Sequence, residues 1–504
     1  MTRSSQRRRT TFAVAVTAAA AVALLGGVPT VASATTTEAS TPVPIAAPEG
    51  TTMSYILNAK VANPGQTRLL EKAVNAAGGV VVQSWPQIGV VVAHSQHSAF
   101  RDDVRAAGAN ALESVGATRT AEVLEGTPTD VQAPWGPGAS GYKKGANKPT
   151  NGDVEAPTTP AASSSDVYEG LQWDMKMIKA DQAHKITEGS RNVLVGVLDS
   201  GIDPDHPDLQ ANIDVADSVN CTNGGRPDTS ATGWNPTTSD HGTHVAGTIA
   251  APRNGVGIVG VAPNVRMAAV KVVSDEGFIY PEYAVCGFVW AGQKHMDVTN
   301  NSYYVDPFEF WCSDQPDQAA AKEAVSRAVA WSTKQGVVHA AAAGNSAYDL
   351  SDKSKITDRG SPNDGTAVVR KLNDGCQDIP AELPGVATVS SATSTGALSS
   401  FSNRGLGVID VAAPGSNILS TIVANNWYGY KSGTSMASPH VAGVLALMKT
   451  AHPELTPEQM VAKLRADATD TACTVTTRGD ACLGTAEDNS FYGEGMVDAL
   501  KAVS

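Results

Sequence analysis

Aromatic side chains are scarce in this chain of 504 residues, at 5%, and charged ones reach only 17%. Cations are the scarcer sign: 37 Lys and Arg stand against 50 Asp and Glu, for a net charge of −13. A surface of that sign repels a phosphate backbone, so no nucleic-acid partner is expected, whereas an acidic soluble surface suits an exported protein. No two cysteines have the C-x-x-C spacing of a structural zinc site. Beyond the N-terminal region no apolar run is long enough to cross a bilayer, which argues against a membrane anchor in the mature form. The length exceeds what one hydrophobic core usually takes, so more than one folded unit is expected.

What is present begins with a targeting signal. Arg3, Arg7, Arg8 and Arg9 precede the apolar run FAVAVTAAAAVALLGGV, and ASA at 32–34 offers a small-residue cleavage site. Residues 1–34 therefore read as a signal peptide and the protein as secreted. The six cysteines, Cys221, Cys286, Cys312, Cys376, Cys473 and Cys482, are an even number in an exported chain and predict disulfides. Only Cys473–Cys482, closing a short loop, is suggested by proximity.

Residues 35–50, rich in Thr, Ala and Pro, read as an exposed spacer. Residues 51–125 read β-α-β-β-α-β. SYILNA starts the pattern, and a helix follows with Leu70, Val74 and Ala77 on one face. VVVQSW and IGVVVAHS form a hairpin pair, a second helix carries Phe100, Val104 and Ala107, and a last strand ends the unit. Residues 126–166 are Pro, Gly, Ser, Thr and Ala without aliphatic periodicity, the composition of a disordered linker. From 167 to 504 apolar strands alternate with helices, which predicts a mostly parallel sheet in an α/β domain.

In such sheets, sites form at the carboxyl ends of the strands. VLVGVL runs directly into Asp199, His241 opens the helical HGTHVAG, Asn345 follows VVHAAAAG, and Ser435 lies in SGTSMASPHVAG where a helix begins. Singly, each of these is most simply a turn, cap or packing residue. Together they supply an orienting carboxylate, an imidazole base, an amide donor and a nucleophilic hydroxyl, in the chain order Asp, His, Ser.

VLDSGID, HGTHVAGTIA, AAAGN and SGTSMASPHVAG resemble the four signature blocks of the subtilisin-like serine peptidases, the subtilases, and FYGEGMVDALKA is similar to the helix that closes that fold. The resemblance runs from about residue 170 to 504. It implies a doubly wound, mostly parallel subtilisin-like sheet preceded by a small ferredoxin-like α+β propeptide at 51–125. It implies a catalytic triad of Asp199, His241 and Ser435, with Asn345 as oxyanion-hole amide. The activity implied is endopeptidase action on protein or peptide substrates by a self-processing zymogen whose own propeptide is its intramolecular inhibitor. A monomer is expected. Pro439 is expected in the first turn of its helix. The chemistry needs no cofactor; Asp208 and Asn254 match positions where many family members hold a structural calcium, and no N-terminal ligand is evident. Leu383–Pro384 aligns with a bond that is cis in the family.

Ser302, Tyr303, Tyr304 and Gly344 are the expected substrate-binding residues. Tyr303 and Tyr304 stand where the family's pocket wall carries Leu and Gly. One tyrosine is therefore expected to line the cleft and to favour small or medium apolar side chains at P1. Two other readings remain open on sequence alone: an exopeptidase on the same fold, and an inactive, binding-only member.

Overall fold

The computed structural model describes residues 38–123, 166–423, 428–476 and 478–504. The expected signal peptide and all of the expected linker except Asp166 lie outside the described residues. Residues 38–504 make one compact unit.

The N-terminal segment folds as the alternation of its sequence dictates. Strands Met53–Ala59, Val80–Trp85, Val90–Ser95 and Leu112–Ala117 form one antiparallel sheet, with the first strand between the third and the fourth. Two helices, Pro64–Ala76 and Phe100–Gly108, cover it. The first starts where Asn63 accepts from Gln66 N, with Pro64 preset for the first turn. Leu70, Val74, Phe100 and Val104 are fully buried against Tyr55 and Leu57.

The residues before this sheet are not the exposed spacer that their composition predicts. Ser40, Val43 and Ile45 are buried. Ser40 binds both oxygens of Asp314, and Thr41 N donates to Lys371 O. Polar, Pro-containing composition misled because the burial partners lie some 300 residues further on.

The larger part carries an eight-stranded sheet. In spatial order its strands are 411–414, 386–392, 338–342, 298–301, 194–199, 266–271, 219–223 and 226–228. All pairs are parallel except the last. The central strands are buried on both faces, as their unbroken apolar runs require. Helices His241–Ala250 and Thr434–Ala451 pack on one face, and helices Pro281–Gln293 and Pro316–Lys334 on the other. The small N-terminal sheet covers this second helix pair. A methyl group at Gly116 would stand 2.6 Å from Asp317 Cα, so that strand lies directly on the helix start. Ala117 N donates to Asp317 Oδ1, and Asn58 Nδ2 to Ala320 O.

Disulfides join Cys221 to Cys286, Cys312 to Cys376 and Cys473 to Cys482, the last as the sequence suggests. Among the described residues no helix is long and apolar enough to cross a membrane.

Candidate active site

The strand Leu194–Asp199 delivers Asp199 to the carboxyl edge of the sheet, buried. Each of its carboxylate oxygens lies 2.9 Å from His241 Nδ1, and Oδ1 also accepts from Ser200 N at 2.7 Å. His241 is the first residue of its helix. The approach of helix to strand depends on Gly242, where a methyl group would collide with Gly201 O and stand 3.1 Å from Asp199 Cβ. A carboxylate on Nδ1 fixes the proton there and leaves the Nε2 lone pair as the basic position.

Ser435 is the second residue of the helix Thr434–Ala451. Pro439 lies in the second turn of that helix, not the first, and has no N–H to give to the carbonyl four residues back. That carbonyl belongs to Ser435, and Ser302 Oγ donates to it at 2.8 Å. In return Ser435 Oγ donates to Ser302 O at 3.3 Å. The proline thus leaves an acceptor free, and the segment after strand Val298–Asn301 is fastened to the helix through it.

Gly344, with φ +97°, turns the chain out of strand Val338–Ala342 and presents Asn345. Asn345 Oδ1 accepts from Thr434 N at 2.8 Å and from Thr434 Oγ1 at 2.9 Å. An N–H can only donate, so the amide oxygen is the atom held and Nδ2 faces the other way. A methyl group on Gly433 would lie 3.5 Å from Asn345 Nδ2 and 3.6 Å from Ser435 N. Two N–H donors therefore converge on one small volume beside the Ser435 hydroxyl, the geometry suited to an oxyanion.

The four expected substrate contacts divide. Ser302 and Gly344 flank the hydroxyl and the amide. Tyr303 does not line the cleft: it is 2% exposed, packs in the core and donates to Asn301 Oδ1. Strand pairing ends at Asn301, so alternation cannot be extended to place the tyrosines. Tyr304 is partly exposed, and its hydroxyl accepts from Asn363 Nδ2. The cis bond expected at Leu383–Pro384 falls instead at Ile379–Pro380, four residues earlier in a segment that repeats proline at that interval.

Asp208 and Asn254 do come together, with a third residue that the sequence did not single out. Asp208 Oδ2 accepts from Ile258 N and from the Tyr428 hydroxyl, while Oδ1, buried, has no partner. Asp166 Oδ1 accepts from Asn254 N and Val256 N, while its Oδ2 is likewise buried without a hydrogen bond. Burial pushes both carboxyl groups up, the Asp166 charge adds to the rise at Asp208, and the Arg253 charge counters it at Asp166. Asp166 Oδ2 lies 3.9 Å from Arg253 Nη1, and the two carboxylates, both bound to the loop at 254–258, are hard oxygen donors of the kind that suits a calcium ion. Asp166 ends a stretch that reads as linker, and nothing in its local sequence marks it.

Residues 190–495 match the Subtilase family, Peptidase S8. The chain is 34% identical over 334 residues to subtilisin of Bacillus pumilus, covering 66% of this chain and 99% of that one. It is also 34% identical over 335 residues to subtilisin E of Bacillus subtilis, covering 66% and 71%. Among solved structures, EpiP, the epidermin leader peptide processing serine protease from Staphylococcus aureus, shares the fold at TM-score 0.64 and 22% identity, covering 90% of this chain and 98% of that one. Fervidolysin from Fervidobacterium pennivorans does so at TM-score 0.60 and 23% identity, and this chain spans 61% of its length. With the family matched over more than half of the chain, and a relative of 34% identity matched over 99% of its own length, the chain belongs to the subtilase family of serine peptidases.

Proposed function

We propose that this chain is a secreted endopeptidase made as a self-processing zymogen. The observations that carry the reading are the Asp199–His241 pair and the Asn345 and Ser435 N–H donors that lie together beside Gly433. Ser435 Oγ attacks the scissile carbonyl carbon while His241 Nε2 takes its proton. The carbonyl oxygen becomes an oxyanion between Asn345 Nδ2 and Ser435 N. His241 then protonates the leaving amine as the C–N bond breaks, and water repeats the sequence to release the acid and free Ser435. Asp199 stabilises the imidazolium without taking the proton.

Residues 38–123 act as the propeptide, and the cut that frees the mature enzyme falls between this unit and the catalytic domain. Arg119 supports this role: it lies 3.5 Å over the Tyr280 ring and pairs with Glu282, both inside the larger unit. A calcium ion, where bound, supplies charge to the loop at 254–258 and no step of the reaction; Asp166 and Asp208 hold it. Secretion is supported by the N-terminal signal pattern and three disulfides.

Digestion of end-blocked and free peptides, with products read by mass spectrometry, tests the reading against exopeptidase action. Ser435→Ala should yield no products and should keep residues 38–123 covalently attached. Maturation of purified Ser435→Ala with no other protease present refutes self-processing, and products only from free-ended peptides refute endopeptidase action.

A further inference from the structure

A second cluster of buried acids lies behind the wall of the same cleft. The disulfide Cys312–Cys376 and the short ladder that pairs Trp311 with Gln377 bring Glu309 and Asp378 together from distant parts of the chain. Both lie against the residues around Asn345. Ser346 Oγ donates to Glu309 Oε1 at 2.9 Å. A methyl group on Gly344 would stand 3.4 Å from Asp378 Oδ2. Tyr304 feels the charges of both.

Asp378 is 1% exposed, and its Oδ1 has no hydrogen-bond partner. The nearby cations are engaged elsewhere: Lys353 pairs with Glu382, and Arg370 with Asp358. A buried carboxylate oxygen without a partner costs stability unless something supplies a donor. Asp378 Oδ2 lies beside Gly344, the residue before Asn345, so a P1 side chain held between segments 302–304 and 344–346 would come close to this carboxylate.

We propose that Asp378, with Glu309, is the specificity determinant of this peptidase and selects a lysine or arginine side chain at P1. The inference rests on the peptidase reading above and replaces the small apolar preference that the two tyrosines suggest. A P1 ammonium or guanidinium donates to Asp378 Oδ1 and offsets the repulsion between the two acids. Burial, then neighbouring carboxylates, push both groups up, Glu309 to about 7. The charges facing Glu309 are Asp358, Arg370 and Asp378 itself, and those facing Asp378 are Glu309, Glu382 and Lys353. Selectivity for a cation therefore strengthens as pH rises through that range.

The test is kcat/KM of the matured enzyme on end-blocked peptides that differ only at P1. Lys or Arg should exceed Leu and Phe by at least tenfold, with the ratio growing from pH 6 to pH 8, and benzamidine should inhibit competitively. Asp378→Asn and, separately, Glu309→Gln should each reduce the Lys-to-Leu ratio at least tenfold and weaken benzamidine. Hydrolysis dominated by Leu or Phe overturns the inference while leaving the peptidase reading intact, as does an unchanged ratio in a folded variant. No hydrolysis of any peptide and no labelling by a serine-reactive phosphonate sinks both.

Discussion

Asp199 and Asp378 are both buried carboxylates, and their surroundings are opposite. Asp199 has its partners built in: His241 Nδ1 lies against both oxygens and Ser200 N against one. Asp378 keeps one oxygen without a hydrogen-bond partner. A third arrangement is the Arg119–Glu282 pair, in which the cation belongs to the unit proposed to leave. The contrast separates three uses of buried charge. A carboxylate with permanent partners orients a reacting group, one with a removable partner latches two units, and one without a partner is arranged for a cation that arrives with substrate.

The largest effect should come from disturbing the satisfied carboxylate. Asp199→Asn keeps the size but presents a donor to Nδ1 in one orientation, so the imidazole loses the tautomer it needs. We expect kcat to fall about 10⁴-fold, equivalent to about 5.5 kcal/mol of barrier, with phosphonate labelling slowed in parallel. A fall of less than tenfold would mean that the Asp199–His241 contact is structural only.

This machinery is the part most legible in the sequence, because the chemistry restricts residue type at each position and at its neighbours. Gly242 must be small for the histidine helix to reach Asp199. Asn345 must follow a glycine that can adopt positive φ. The small sheet was equally legible, since its strands and helices each bury one face. What escaped sequence reading depends on partners distant in the chain. Ser40 finds Asp314, Asp166 finds the loop at 254–258, and Glu309 meets Asp378 only through a disulfide whose pairing is not deducible from spacing. Tyr303 escaped for a different reason: its strand stops two residues earlier, and with it the rule that assigns faces.

The removable pair comes next in size. Burial is the largest influence and would raise the Glu282 carboxyl, but the Arg119 charge together with hydrogen bonds from Arg119, Ser54 and the backbone holds the group below its usual value. Arg119→Ala leaves Glu282 buried with only Ser54 Oγ as a partner from the small unit. On a Ser435→Ala background this should loosen residues 38–123 by about 3–5 kcal/mol, read as lost hydrogen-exchange protection in strands 53–59 and 112–117. Unchanged protection would show that the unit is held by its apolar face alone.

Asp166 and Asp208 extend the comparison to an ion from solution. Calcium at 100-fold over its dissociation constant should stabilise the folded chain by about 2.7 kcal/mol. A chelator should remove that gain and lower Tm, and Asp166→Asn should abolish the chelator's effect. Identical melting with and without calcium would mean that the two carboxylates take no ion.

The smallest effect is the most discriminating, because it should have the opposite sign from the others. The Asp378 carboxyl is raised in the folded protein by burial first and by the Glu309 charge next. Between its unfolded value, about 3.9, and its folded one, the folded state holds the extra proton. Stability from this group is therefore complete at low pH and is lost as pH rises through the folded value. Asp378→Asn has no such loss. On the Ser435→Ala background, urea unfolding should show variant and wild type alike at pH 4 and the variant more stable at pH 8, by roughly 1–3 kcal/mol. Saturating benzamidine should narrow that gap by stabilising only the chain that keeps its carboxylate. A variant less stable than wild type at pH 8 would mean that Asp378 already has a partner in the folded protein, which would make it resemble Asp199 and remove the reason for expecting a cation at P1.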